Sequence, residues 1–142
     1  MLVDANILLY AVDTESPFHE RAITWLEDVL NGPRRVGLPW PSIHAFLRIV
    51  TNPRALTEPL SPGDAWAIVA AWLDATPVWI PEPGRGHAEI LGRLIVDLDL
   101  RANLIPDAAL AALCIEHGLD VVSADSDFAR FTEIDWINPV AT

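Results

Sequence analysis

The sequence predicts an α/β protein with a central, mainly parallel sheet. Short apolar runs alternate along the chain with longer stretches in which apolar residues recur at helical spacing. At 142 residues the chain is long enough to bury one full core and too short for two ordinary domains. We therefore expect a single domain over residues 1–142.

The strands are expected where the short apolar runs lie. They are predicted at residues 2–3, 36–38, 78–80 and 121–123, with residues 136–137 as a fifth. Between the first two runs and directly after the second, residues 22–30 and 43–50 carry apolar side chains at helical spacing and predict two helices.

Three further helices are marked by their ends or by their spacing. Ser61 as N-cap and Pro62 at the first helical position predict a helix start, with an apolar face of Trp66, Val69 and Leu73. Apolar residues at helical spacing open the next helix at residues 90–95. Pro106 is then expected to start a helix that Gly118 ends.

The charge of the chain limits the functions that it can have. A formal net charge of −11 argues against broad attraction to nucleic acid, because phosphate binding depends chiefly on Lys and Arg. All nine basic residues are arginines, so every mechanism that requires a lysine is excluded. Arginine can still bind a phosphate with two hydrogen bonds at a local site.

The N-terminus and the cysteine content predict a cytoplasmic protein. The longest apolar run, residues 65–73, is far shorter than the roughly 20 residues that cross a bilayer. The first residues show no basic region and no cleavage site of a signal peptide. Cys114 is the single cysteine, so an internal disulfide is excluded and a reducing compartment is expected.

Three aspartates are predicted to meet at one edge of the sheet. Asp4 directly follows the first strand, and Asp125 follows the fourth by two residues. Asp107 lies at the start of the helix that leads into the fourth strand, so it belongs to the same edge. Taken singly, each has an ordinary explanation: Asp4 as a helix cap, Asp107 as a partner of the helix dipole, and Asp125 as a turn residue.

Convergence of these carboxylates favours a bound metal. Several carboxylates gathered without a cation have raised pKa values and cost stability. Oxygen ligands alone point to Mg²⁺, with Mn²⁺ as a substitute, and such a metal commonly acts on phosphates. Hydrolysis of a phosphodiester is therefore the expected reaction. Asn6 and Ser123 stand near the same strand ends and could orient a carboxylate, or they could be ordinary turn residues.

Four segments carry a resemblance to a known family. "LVDANILLYA", "FLRIVTNPR", "IPDAALAALCIEHG" and "VVSADSDFARF" resemble, in this order, the PIN domain and specifically the VapC toxin ribonucleases of toxin–antitoxin pairs. The resemblance implies a three-layer α/β/α sandwich, Mg²⁺-dependent endonucleolytic cleavage of RNA, dimerisation, and inhibition by a cognate VapB-like antitoxin. It covers nearly the whole chain.

The resemblance assigns roles to individual residues. Asp4, Asp107 and Asp125 match the catalytic, metal-binding acids. Asn6 matches the polar residue two positions after the first acid, and Ser123 the hydroxyl residue of the last motif. This chain departs from the family at one place, because no acid lies between Asp28 and Glu58 and His44 or Ala45 stands where a glutamate is expected. Asp127 could compensate in part for the missing carboxylate.

Contacts to RNA and to protein partners are predicted from charge and apolar surface. Arg48 and Arg54 bracket the "TNP" loop and are the candidates for binding the phosphate backbone, while Arg34 and Arg35 precede the second strand at its opposite end. Trp40 could lie near the site and stack on a base, although core packing is the expected role of the other tryptophans. Large apolar surface on the two early helices would suit a dimer or antitoxin groove.

Two other functions are compatible with part of this pattern. A degenerate PIN domain that binds RNA or a protein partner without cleavage is suggested by the missing glutamate. An aspartyl-phosphate protein would also place acids at strand ends, but those sites use a lysine, which this chain lacks.

Overall fold

Five short parallel strands form one sheet in the computed structural model, which describes residues 1–142. In the order β3-β2-β1-β4-β5, the central strand β1 pairs with β2 on one side and with β4 on the other. The carboxyl ends of β1 and β4 are therefore neighbours. The strands are β1 (Leu2–Val3), β2 (Val36–Gly37), β3 (Val78–Trp79), β4 (Val121–Val122) and β5 (Trp136–Ile137).

Strands β2, β3 and β4 each end one residue earlier than predicted. Pairing nevertheless continues past the ends of two of them, because Leu38 N donates to Trp79 O at 2.9 Å and Ser123 N to Ile137 O at 3.0 Å. The predicted last residues of these two strands thus still take part in the hydrogen bonding of the sheet edge.

Six α-helices and one 3₁₀ helix connect the strands. The 3₁₀ helix, Ser126–Arg130, follows β4 directly at the edge where the acids lie. The α-helices are α1 (Ala5–Val12), α2 (His19–Leu30), α3 (Trp40–Val50), α4 (Pro62–Asp74), α5 (His87–Asp97) and α6 (Leu104–His117). None of the six α-helices combines the length and the hydropathy of a membrane-spanning segment.

Two hydrophobic cores lie on the two faces of the sheet. Alternate residues of a strand point to opposite faces, so Val3 and Val122 pack with helices α1 to α4. Leu2 and Val121 point the other way and pack with α5 and α6. All four side chains are fully buried. The expectation of a three-layer α/β/α sandwich around a parallel sheet is confirmed.

Four predictions concern the ends of α4 and α6, and three of them are confirmed. Ser61 Oγ accepts a hydrogen bond from Asp64 N at 3.1 Å, and Pro62 is the first residue of α4. Gly118 ends α6 at φ 65°, a left-handed conformation that a side chain would strain. The predicted start of α6 at Pro106 was wrong. The helix begins at Leu104, because a proline in the first turn lacks only an N–H that has no helical partner.

The predicted apolar face of α4 was wrong at Trp66. The helix buries Ala65, Val69 and Trp72, which follow one another at intervals of four and three residues. Trp66 lies one position outside this row, and its side chain is 49% exposed. Trp72 instead fills the core, where its ring meets Phe46 edge to face at 4.9 Å.

Candidate active site

Asp4 stands at the junction of β1 and α1, and both of its carboxylate oxygens are hydrogen-bonded. Oδ1 accepts from Ala5 N at 2.8 Å, which makes Asp4 the N-cap of α1. Oδ2 accepts from Ser123 Oγ at 2.7 Å and from Asn6 Nδ2 at 3.2 Å. Asp4 is thus both the N-cap of α1 and a side chain at the carboxyl edge of the sheet.

Ser123 and Asn6 form the polar centre that joins β1 to β4. The fully buried Ser123 Oγ accepts from Asn6 Nδ2 and from Asp125 N, both at 3.0 Å. Asn6 Oδ1 in turn accepts from Ala124 N at 3.2 Å. Because each group has several partners, the network fixes both the Asp4 carboxylate and the backbone that leads into Asp125.

Three other carboxylates form a cluster at the same edge. Asp107 comes from the first turn of α6, and Asp125 and Asp127 come from the 3₁₀ helix and its N-cap. One carboxylate oxygen of each lies within 4.8 Å of the others. Asp127 N donates to Asp125 Oδ1 at 2.9 Å, which holds the two acids in one turn. Below, "the acid cluster" means Asp107, Asp125 and Asp127.

The electrostatics of this edge favour binding of a cation. Burial, and then the negative charges of Asp125, Asp4 and Asp127, raise the pKa of Asp107 to about 6, while the charge of Arg130 opposes them. Burial also raises the pKa of Asp4, against the stabilising hydrogen bond from Ser123. The carboxylates repel one another here, and a cation would relieve that repulsion.

The donor set fits a hard divalent ion. The acid cluster offers only carboxylate oxygens, and Asp4 lies close enough for its charge to act on Asp107. Mg²⁺ and Mn²⁺ prefer such ligands, whereas zinc sites usually contain histidine or cysteine. Asp4 is not one of the three mutually close acids, since its oxygens are directed toward Ala5, Ser123 and Asn6.

The sequence matches the PIN domain over residues 1–134. This chain belongs to the PIN-domain family. Among curated relatives, Ribonuclease VapC37 of Mycobacterium tuberculosis is 43% identical over 99% of this chain and 97% of its own length. Ribonuclease VapC33 of the same species is 41% identical over 99% of this chain and 98% of its own length. The predicted family is confirmed.

Solved structures share the fold of this PIN domain. The structure of VapBC2 from Rickettsia felis, bound to a promoter DNA fragment, matches with a TM-score of 0.71 over 96% of both chains, at 14% identity. FitAcB from Neisseria gonorrhoeae matches with a TM-score of 0.64 over 99% of both chains, at 16% identity.

The residues at the expected glutamate position do not add a carboxylate to the PIN-domain site. His44 is exposed on α3 and stacks on Trp40, with 5.9 Å between the ring centroids, while Ala45 is half-buried. Trp40 begins α3 three residues after the end of β2, and its role near the site stays a prediction.

The predicted RNA-binding arginines lie along and beyond α3. Arg48 is in the last turn, about 12 Å along the helix axis from Trp40, and Arg54 is in the exposed loop that follows. Neither forms an ion pair with the acids. Their role in substrate binding stays a prediction.

Two residues of this edge were not found from the sequence. Ser42, buried on α3, donates from Oγ to Val3 O at 2.7 Å and fastens the helix to the end of β1. Arg130 ends the 3₁₀ helix and pairs with Asp127. The three-residue spacing of Asp127 and Arg130 was a usable signal for their pairing, whereas nothing in the sequence distinguishes Ser42 from any other serine in a first helical turn.

Proposed function

We propose that this PIN domain is a metal-dependent endoribonuclease that hydrolyses RNA phosphodiester bonds and acts as the toxin of a type II toxin–antitoxin pair. The observation that carries the proposal is the meeting of Asp4 and the acid cluster beside the neighbouring ends of β1 and β4. The kinship with curated VapC ribonucleases supports the same reaction.

Asp4, Asp107 and Asp125 are the proposed catalytic and metal-binding residues, with Asp127 in support. Mg²⁺, or Mn²⁺ in its place, would lower the pKa of a bound water and neutralise charge on the phosphoryl oxygens. Hydrolysis would leave a 5′-phosphate and a 3′-hydroxyl. We also propose that residues 1–142 act as one nuclease unit.

Asn6 and Ser123 are the proposed positioning residues. Ser123 donates to Asp4 Oδ2 and accepts from Asp125 N, so one hydroxyl sets the spacing of two proposed ligands. Asp107 must lose its proton before it can bind a cation, and with a pKa of about 6 it does so just below neutral pH. Metal affinity should therefore rise steeply between about pH 5 and pH 7.

Purified, antitoxin-free protein provides the direct test. We expect it to cleave members of a mixed panel of structured RNAs with Mg²⁺ or Mn²⁺, and to lose this activity with EDTA or in Asp4→Asn. Calorimetric titration with Mn²⁺ measures binding separately from cleavage. Cleavage that persists in EDTA, or in folded Asp4→Asn protein, would refute the metal-dependent mechanism.

The groove between α2 and α4 is the proposed site of a VapB-like antitoxin. It has a volume of about 390 Å³, and its apolar lining includes Ile23, Leu26, Ile68 and Trp72. An amphipathic helix could bury its apolar face there. A chain with Ile68→Asp should fail to co-purify with the co-expressed antitoxin while its Mn²⁺ binding is unchanged. Homodimerisation of the free protein is proposed as well, and light scattering measures it.

A catalytically degenerate PIN domain is the second candidate. The absence of any acid between Asp28 and Glu58, with His44 exposed on α3, favours this alternative. Such a protein would bind RNA or a protein partner without cleavage and would not need a metal. Folded wild-type protein that neither binds Mn²⁺ nor cleaves the RNA panel would support it.

A further inference from the structure

Arg130 is held directly against the acid cluster. It is the last residue of the 3₁₀ helix, and its Nε donates to Asp127 O at 3.0 Å. Its Nη2 donates to Asp127 Oδ1 at 3.1 Å. Asp127 is itself one of the three mutually close acids, so a guanidinium group borders the cluster.

The guanidinium retains donors that the protein does not use. Nη1 of Arg130 makes no hydrogen bond within the chain, and the side chain is 37% exposed. The partner side chain, Asp127, is 48% exposed, so the ion pair faces solvent and contributes little to stability. Arg130 therefore has N–H groups without a protein partner on a side chain that solvent reaches, where they are available to a ligand.

An RNA phosphate approaching this edge needs a positive charge from the protein. Asp4 and the acid cluster provide four carboxylates, and the chain as a whole carries −11. The charge of Arg130 already acts on Asp107, which places it within electrostatic reach of the proposed reaction centre. Most arginines with a charged partner pair elsewhere: Arg34 with Asp120, Arg93 with Glu133 and Arg101 with Asp99.

We propose that Arg130 binds a non-bridging oxygen of the RNA phosphate beside the acid cluster, and that Asp127 orients it for this contact. The inference rests on the proposed ribonuclease function and adds a substrate-binding residue to it. The free Nη1 supplies the hydrogen bonds to the phosphate, while Nε and Nη2 remain on Asp127. In this arrangement Asp127 serves the substrate through Arg130, in addition to its place among the acids.

Arg130→Gln tests the contact, with Arg34→Gln as the matched control. Arg34 also forms an ion pair with an aspartate, Asp120, but it precedes β2 and so lies at the opposite edge of the sheet. We would measure binding of a short fluorescent single-stranded RNA of mixed sequence at several salt concentrations, with Ca²⁺ present. We would also measure Mn²⁺ binding by each protein and its cleavage of an RNA from the panel.

Loss of one phosphate contact has a defined signature. For Arg130→Gln we expect the dissociation constant and the KM for RNA to rise roughly tenfold. The slope of log affinity against log salt should fall by about 0.7, the value for one contact on a single strand. Mn²⁺ affinity should be unchanged or higher, and Arg34→Gln should match the wild type. Arg130→Lys keeps the charge and should preserve the salt slope with a smaller rise in KM.

The failures of the two proposals differ. If the wild type cleaves RNA but Arg130→Gln keeps its KM and its salt slope, the contact is refuted and the nuclease stands. If Arg130→Gln loses Mn²⁺ binding, Arg130 acts by holding the acids, and the phosphate contact is again refuted. If the wild type neither binds Mn²⁺ nor cleaves RNA, both proposals fail together.

Discussion

Replacing Asp107 by asparagine should make the metal-free protein more stable at neutral pH. Asp107 has a pKa of about 6 in the folded chain, against an ordinary value of 3.8. Because the folded state holds the proton more tightly, its stability falls as the pH rises from about 4 to about 6, and above that range the full penalty is present. Asparagine resembles the protonated acid in shape and removes this penalty.

The size of the effect follows from the pKa and from the exposure of the side chain. The pKa of Asp107 is raised by about two pH units, which for a fully buried group is worth about 3 kcal/mol. Asp107 is only half-buried, so water screens much of the repulsion, and a charge in the first turn of α6 gains about 0.3–1 kcal/mol from the helix dipole. We expect a net gain of about 1 kcal/mol in the free energy of unfolding at pH 7.5.

Urea unfolding with EDTA and with Mn²⁺ tests this expectation. In EDTA, the free energy of unfolding of Asp107→Asn should exceed that of the wild type at pH 7.5. The difference between the two proteins should shrink as the pH falls toward 4. With Mn²⁺ at 100 times its dissociation constant, the free energy of unfolding of the wild type should rise by about 2.7 kcal/mol, and that of Asp107→Asn should rise little. The wild type should then be the more stable of the two proteins. The matched control is Asp64→Asn, an exposed acid in the first turn of α4 that should lose slight stability in both buffers.

Two results would contradict the reasoning. If Asp107→Asn is less stable than the wild type at pH 7.5 in EDTA, Asp107 is not under net repulsion in the folded chain. If the difference between the two proteins does not change with pH, the ionisation of Asp107 is not its cause.

Three further substitutions probe the network and the core. Asp4→Asn should fold, but its metal-dependent RNA cleavage at saturating Mg²⁺ should fall by more than about 100-fold, because a proposed metal ligand and its charge are removed. Ser123→Ala leaves Asp4 and Asp125 N without a shared partner at a buried position and should cost about 1–3 kcal/mol in urea unfolding; an unchanged midpoint would contradict the network. Phe46→Ala, at a fully buried ring against Trp72, should cost about 3–5 kcal/mol in the same assay, whereas exposed Trp66→Ala should cost far less.

The sequence could predict the sheet edge because the relevant signals are local. Apolar pairs such as Leu2–Val3 and Val121–Val122 are short and buried on both faces, so the acids that follow them can be assigned to strand ends. Parallel pairing then brings the ends of β1 and β4 together whatever their separation along the chain. This is why the meeting of Asp4 and Asp125 could be anticipated.

Features that depend on side-chain direction could not be predicted in the same way. Asp4 turns its oxygens toward Ser123 and Asn6, so Asp127, rather than Asp4, is the third member of the close cluster. The burial of Ser42 against Val3 O likewise depends on how α3 packs over β1. Such contacts join residues far apart in sequence, and no local pattern specifies them.

The hydrogen bond from Ser123 to Asp4 has a consequence for the timing of synthesis. Its partners are 119 residues apart, and β1 lies between strands that emerge later from the ribosome. At about 5–20 residues per second, translation needs about 6–24 s after Asp4 before Ser123 exists. During that interval the nascent chain has the first acid but lacks the strand and the serine that complete the hydrogen-bond network around it, so this edge of the sheet can form only when the chain is nearly whole.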